Sequence, residues 1–133
     1  MAVDLTLYPK TLVWGETTWS AEAGGTIALR YMHEGTLVED RTGTDQYSRA
    51  VVVTDKSLRV FVGLRDVKQI LGLGALAATN LVATLNDGSA DTTVTFATMI
   101  LYSVNGNQPR AVPGDCELAF VHQSAAGSAV PIT

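Results

Sequence analysis

Short runs in which apolar and polar residues alternate occur along most of the chain, and Gly, Asn, Asp and Pro separate these runs. A period of two is typical of β-strands that bury one face. Pro9 ends the first run, because proline cannot donate a backbone hydrogen bond. The predicted strands are Val3–Tyr8 with Lys10–Trp14 as its continuation, Thr26–His33, Tyr47–Thr54, Leu58–Leu64, Asn80–Asn86, Thr92–Val104 and Cys116–Gln123.

Alternation also assigns side chains to the faces of these strands. In the strand Thr26–His33, one face carries Ile27, Leu29 and Tyr31. In the predicted strand Leu58–Leu64, the even-numbered residues share one face. In the long strand Thr92–Val104, one face carries Thr98 as its only polar member together with Val94, Phe96, Ile100, Tyr102 and Val104.

One short helix is predicted, beginning at Asp66. Aspartate is a favoured N-cap residue, and Gln69 stands three residues later, where the partner in a capping box belongs. We expect this helix to lie on the side of the sheet and to end near Gly74. Its sheet-facing residues are Val67, Ile70, Leu71 and Gly74.

Three segments are predicted as loops or tails. Gly15–Gly25 is a loop that contains Trp19, and residues 124–133 form a C-terminal tail with little to anchor it. Residues 34–46 form a long loop between early strands, rich in Gly, Thr and charges of both signs. A loop of that length in a compact domain is usually functional or mobile, although an ordinary solvated loop stays open as an alternative.

The composition indicates a mainly β protein, with residues 1–133 forming a single domain. Hydrophobic residues make up 47% and charged residues 17%, which is below the usual quarter, and the net charge is −4. This balance argues against intrinsic disorder and against a dedicated nucleic-acid binder, because an acidic protein repels phosphate. Either the fold hides its apolar area well, or copies of the chain cover much of its surface.

No set of residues with catalytic or metal-binding spacing is visible, so we expect no enzyme activity, no cofactor and no metal. His33 and His122 lack the further ligands that a zinc site needs. Cys116 stands alone between two acidic residues and is expected to act as a small buried hydrophobe. The Gly-x-Gly at Gly72 and Gly74 comes at the end of the predicted helix, whereas phosphate-binding loops precede a helix.

Neither a secretory signal nor a membrane span is expected. The first residues lack a basic segment followed by an apolar one. No window reaches the roughly 18 to 20 apolar residues that a span requires. We therefore expect no membrane partner, and synthesis in a reducing cytoplasm fits the single cysteine.

The order of several segments resembles that of the tail tube proteins of long-tailed, siphovirus-like bacteriophages. A strand leads into the predicted helix, a Leu-rich strand and a turn follow, and an apolar segment lies near the C-terminus. The quoted segments are Arg59–Val67, Leu71–Gly74, Asn80–Leu85, Asp87-Gly88, Ala119–Gly127 and Pro131-Ile132. The resemblance runs from about Thr26 to the C-terminus and leaves residues 1–25 unmatched.

The resemblance implies a β-sandwich or partial barrel with one helix on its side and six copies joined in a ring. Rings would stack into a tail tube, the conduit for DNA ejection, through the loop at residues 34–46. DNA would pass without specific binding, and the tape-measure, tail terminator and distal tail proteins would be partners in the virion. The residues implied in contacts between rings are Glu34, Glu39, Asp40, Arg41, Asp45 and Arg49.

An acidic wall suits a DNA conduit, because a like-charged surface does not hold phosphate. The candidates for channel-lining residues are Asp87, Asp91, Asp115 and Glu117. Other phage β-proteins stay open as alternatives, namely a tail terminator, a head–tail joining protein or a capsid decoration protein. A further alternative is a ligand-binding β-sandwich module that stacks sugars on Trp14, Trp19 and Tyr47.

Overall fold

The computed structural model describes residues 2–21, 27–65, 70, 73, 78–111, 114–123 and 131–133. Within these ranges no helix is both long and apolar enough to cross a membrane. The strands are β1 (Ala2–Leu7), β2 (Thr11–Trp14), β3 (Thr17–Ser20), β4 (Ala28–Asp40), β5 (Ala50–Leu64), β6 (Thr79–Asn86), β7 (Asp91–Gly106) and β8 (Cys116–His122).

The eight strands of the described ranges belong to one antiparallel sheet in the order β1-β4-β5-β8-β7-β6-β2-β3. The predicted mainly β class, a sandwich or partial barrel, is confirmed. The end strands of the sheet are β1 and β3, which pair with β4 and β2 respectively.

The core lies on the inner side of this sheet, which curls so that distant strands face each other. Trp14 of β2 packs edge-on against Phe120 of β8, with ring centroids 5.4 Å apart. Tyr31 of β4 packs against Phe96 of β7 at 5.3 Å. Neither pair joins neighbouring strands, so these contacts hold one half of the curled sheet against the other. Each fully buried aromatic or large aliphatic side chain stabilises the fold by about 1.5–3 kcal/mol.

The predicted faces of β4 and β5 are confirmed. Ile27 and Leu29 are buried, and Tyr31 packs on the core. The even-numbered residues of β5 from Leu58 to Leu64 are also buried.

The predicted face of β7 is wrong beyond Phe96, because the strand contains two irregularities. Thr98 has a φ of +50°, and the β6–β7 register shifts at this point, so the buried residues become Met99 and Leu101. A second shift follows Leu101, and Tyr102 is exposed. An inserted residue reverses the alternation, which the sequence pattern alone does not reveal.

The N-terminal segment also departs from prediction. Lys10–Trp14 does not continue β1, because β2 pairs with β3 and β6 instead. The expected loop Gly15–Gly25 contains strand β3, in which Trp19 is only 1% exposed. A four-residue strand is too short to show alternation, and burial of the indole outweighs the loop-like composition around it.

The predicted helix from Asp66 lies mostly outside the described residues. Of the predicted sheet-facing residues Ile70 is described, and it is buried; Leu73, which was not predicted to face the sheet, also packs on the core. Residues 124–130 also lie outside the description. The expectation of an unanchored tail is wrong for residues 131–133, since Thr133 exchanges two backbone hydrogen bonds with Thr95.

Candidate functional site: the β4–β5 ribbon

Strands β4 and β5 continue beyond their neighbours as a two-stranded ribbon. Strand β1 pairs with β4 no further than Glu34, and β8 pairs with β5 only from Arg59 onward. We call residues 35–40 and 50–57 the β4–β5 ribbon, and residues 41–49 the ribbon tip. Among the described strands, those of the ribbon pair here only with each other.

This ribbon corrects the predicted loop at residues 34–46. Strand β4 runs on through Asp40, and the two strands predicted at Tyr47–Thr54 and Leu58–Leu64 are one strand, β5. The reason is a set of apolar cross-strand pairs, Leu37 with Val53 and Val38 with Val52. Branched residues favour the pleated conformation, and pairs of this kind stabilise a hairpin despite the polar residues around them.

The ribbon exposes apolar side chains on both of its faces. Val38 and its partner Val52 lie on one face, and Leu37 with Val51 lies on the other. Their exposed fractions are 47% for Leu37, 49% for Val38, 57% for Val51 and 54% for Val52. Exposed apolar residues grouped on one projecting element make the ribbon a candidate site of interaction.

The ribbon tip uses part of its charge internally. Arg49 and Asp45 form an ion pair, and the backbone N–H of Arg49 donates to the Asp40 carbonyl at 2.8 Å. The Arg41 guanidinium contacts the Ser48 hydroxyl at 3.5 Å. Polar groups of the tip therefore bond to one another, and the exposed side chains in the middle of the ribbon are apolar.

The six residues predicted for contacts between rings lie along this one protrusion. Glu39 and Asp40 are strand residues at its far end, next to Arg41, Asp45 and Arg49 of the tip. Glu34 stands at the base, about 20 Å from Asp40 along an extended strand. The residues that the sequence prediction missed are the apolar ones, and the run Val51-Val52-Val53 was their signal.

A further strand edge lies within the sheet, along the part of β7 beyond Met99. Strand β6 pairs with β7 only as far as Met99. The rest of β7, which we call its upper part, therefore has a described neighbouring strand only in β8. Tyr102 and Val104 are about half exposed on this segment. Like the outer edges of the end strands β1 and β3, this edge is one to which another chain can pair.

The four acidic residues predicted to line a channel fall into two distant pairs. Asp91 lies opposite Asn86 at the β6–β7 turn, whereas Glu117 lies opposite Asn105 near the other end of β7. Asp91 and Asn105 are separated by roughly 40 Å along the strand. Asp87 is close to Asp91 in the chain and Asp115 is close to Glu117. The four acidic residues therefore form two separate pairs and not one patch.

The first acidic pair has local structural roles. Asp87 accepts hydrogen bonds from the backbone N–H groups of Ser89 and Ala90 at 2.9 and 3.0 Å. The Ser89 bond is the main reason that the pKa of Asp87 is lowered. Asp91 accepts from Lys10 at 2.8 Å, and this bond is the main cause of its lowered pKa.

A groove of about 330 Å³ lies on the outer face of the sheet between β1 and β8. At its rim, Arg30 makes a two-point ion pair with Asp4 at 2.7 and 2.8 Å, which lowers the pKa of that carboxyl. Exposed pairs of this kind contribute little stability. The lining residues are Thr6, Ala28, Arg30, Phe61, Gly63 and Glu117.

The histidines are separate from each other. His33 borders a shallow pocket at the base of the ribbon, together with Gly35 and Val53. His122 bonds the carbonyl of Ala97 through Nδ1, which carries the proton because a carbonyl only accepts. In the described part of the chain, no three His, Cys, Asp or Glu side chains are grouped to hold a metal.

The sugar-stacking platform proposed from Trp14, Trp19 and Tyr47 is overturned. Both indoles are in the core, and Trp14 donates its ring N–H to the Met99 carbonyl at 3.2 Å. Tyr47 is 83% exposed in the ribbon tip. A single exposed ring separated from two buried ones does not form a stacking surface.

Comparisons with known proteins give one structural likeness. No protein-family model matches the chain, and no curated protein matches it. The chain is similar to one from a solved structure described as the tail of an empty GTA particle, refined helically with C6 symmetry. The identity is 13%, the TM-score is 0.43, and the match covers 74% of this chain and 76% of that chain. The functional proposal therefore rests on the chain's own sequence and geometry.

Proposed function

We propose that this chain is a structural subunit of a phage-like tail, which self-assembles into stacked hexameric rings that form the tail tube. The observation that carries the proposal is the β4–β5 ribbon, a strand pair that projects beyond the sheet with apolar residues on both faces. Within the described part of the single chain these apolar side chains stay about half exposed, whereas a neighbouring ring would bury them. The role proposed is structural rather than catalytic.

The ribbon is proposed as the contact between rings. Burying the exposed halves of Leu37, Val38, Val51 and Val52 contributes about 1 kcal/mol each at ordinary transfer values. One such contact barely offsets the cost of association. Six contacts acting together between two rings do so comfortably, because the later ones form at high effective concentration.

The open strand edges are proposed as the contacts within a ring. The outer edge of β1 and the upper edge of β7 lie on opposite sides of the five-stranded region β1-β4-β5-β8-β7. A head-to-tail contact between different edges closes into a ring when the rotation permits. Such pairing also removes the edges, which otherwise invite aggregation.

The tube would be the conduit for DNA ejection. We keep the acidic residues Asp115 and Glu117, and separately Asp87 and Asp91, as candidates for the channel wall, where like charge would keep DNA mobile. Because the two pairs lie at opposite ends of β7, each would form its own acidic ring. Tape-measure, terminator and distal tail proteins are the proposed partners in the virion.

Negative-stain electron microscopy at increasing protein concentration tests the proposal. The test variant replaces residues 38–52 by Asn-Gly, a two-residue turn that joins the paired residues Leu37 and Val53. We expect the parent chain to form tubes of constant width, and the shortened chain to fold without forming tubes. The control is Thr93→Lys, a charged substitution at an exposed strand position outside the ribbon, which should leave tubes intact.

The outcomes separate the parts of the proposal. Tubes from the shortened chain would refute the ribbon as the contact between rings. Single closed rings from the parent chain, with no growth into tubes, would instead indicate a terminator or head–tail joining protein. A monomer at every concentration would refute self-assembly.

A further inference from the structure

The ribbon leaves the rest of the sheet at a β-bulge. On β4 one residue, Gly35, stands where β5 has two, Asp55 and Lys56. Asp55 has a φ of +52°, the left-handed conformation that residues other than glycine adopt uncommonly. The bulge thus absorbs one extra residue of β5 at the point where the ribbon begins.

Gly35 is the residue that the bulge requires on β4. A Cβ atom at this position would overlap Cγ1 of Val53 and lie 3.2 Å from the Thr54 carbonyl oxygen. The side chain of Val53 occupies the space that the missing side chain leaves. A branched residue at position 35 would therefore push the two strands apart where the bulge holds them together.

The bulge decides which residues face each other in the ribbon. With it, Val38 pairs with Val52, and Leu37 pairs with Val53. Without it, β5 would slip by one residue and Val38 would oppose Val53. Since strand alternation has a period of two, such a slip turns every β5 side chain of the ribbon to the opposite face.

We propose that Gly35 and Asp55 are positioning residues that hold the ribbon in one register and so determine which side chains it presents to another copy of the chain. The register claim concerns the single chain. Its consequence for a partner rests on the proposed function.

Disulfide trapping in the unassembled full chain tests the register. The pair Val38→Cys with Val52→Cys reports the native register, because these side chains face each other. The pair Val38→Cys with Val53→Cys reports the slipped register, since in the native one they point to opposite faces. Peptide mass spectrometry after mild oxidation separates both products from the buried Cys116.

In the native background we expect the 38–52 disulfide to exceed the 38–53 disulfide at least tenfold. Asp55→Val, whose branched side chain resists the left-handed conformation, should lower this ratio tenfold or more, and Gly35→Val should do the same. Asp55→Gly is the matched control and should leave the ratio unchanged. A native ratio in Asp55→Val would overturn the proposal.

Deletion of Asp55 keeps the proposal testable if the valine variants do not fold. Removing the extra residue lets Val38 oppose Val52 without a bulge, so the 38–52 disulfide should persist. A shift to the 38–53 disulfide in the deletion variant would overturn the proposal. Tubes formed by a variant that has slipped register would count against the proposed function, because the ribbon would then present other side chains, and not against the register.

Discussion

Strands β4 and β5 each have two halves that follow different rules. In the sheet they bury Leu29, Val60 and Val62 and leave Arg30 and Arg59 exposed, which is the ordinary alternation of a half-buried sheet. In the ribbon the same strands carry apolar residues on both faces, and both faces are exposed. A strand that is apolar on both sides is typical of one covered on both sides. The contrast separates a half of the hairpin that the single chain buries from a half that it leaves exposed, and the proposed function assigns the exposed half to contacts between copies.

The largest effect is expected in the core. Phe96→Ala removes a fully buried ring that packs on Tyr31, and should lower the free energy of unfolding by about 3–5 kcal/mol. Urea titration followed by circular dichroism measures it. A loss below about 1 kcal/mol would show that the two halves of the curled sheet do not depend on this contact.

A smaller effect is expected at Trp14. Trp14→Phe keeps an aromatic ring against Phe120 but removes the buried hydrogen bond to the Met99 carbonyl and part of a buried side chain. We expect a loss of about 1–3 kcal/mol in the free energy of unfolding. Thermal unfolding measures it, and an unchanged midpoint would mean that water replaces the indole N–H.

A substitution in the ribbon should affect self-assembly more than the free energy of unfolding of the single chain. Val52→Lys places a charge in the apolar middle of one face, where it is solvated in the free chain. The free energy of unfolding should change by less than about 1 kcal/mol, because only one cross-strand pair, with Val38, is lost. The concentration needed for tubes should rise at least tenfold, measured by sedimentation. With Thr93→Lys as the control, equal effects of both substitutions would contradict a specific ribbon contact.

The smallest effect is expected in the pH dependence of the free energy of unfolding. Asp4, Asp87 and Asp91 all have a lowered pKa in the folded chain, caused chiefly by Arg30, the Ser89 N–H and Lys10 respectively. Such carboxylates stabilise the fold above their unfolded pKa of about 4, and this stabilisation is lost as the pH falls through their folded pKa. Stability should therefore decline below about pH 4. Asp87→Asn should flatten that decline, and a parallel curve would refute the assignment.

The sequence predicted the class of fold, since alternation located most strands and the faces of β4 and β5. It did not predict the reversals in β7, because they depend on single inserted residues such as Thr98 with positive φ. It also missed β3, a four-residue strand that pairs with β2 and buries Trp19. Bulges and very short strands are decided by tertiary packing, which leaves no periodic signal.

The candidate site was half predictable. Charge and length singled out residues 34–46, which contain the β4 strand of the ribbon and part of its tip but not the β5 strand. The prediction named the charged residues and did not include Val51, Val52 or Leu37, which the fold leaves exposed. The pairing of Leu37 with Val53 also depends on the bulge at Gly35, which no local pattern shows.

Hydrogen–deuterium exchange of the free and the polymerised chain tests the central claim most directly. If the ribbon is the surface that assembly covers, amides of residues 35–40 and 50–57 should exchange at least tenfold more slowly in the polymer. Amides of β2 and β6, which are paired on both sides in the free chain, should change little. Unchanged exchange throughout the ribbon of a polymerised chain would contradict the account.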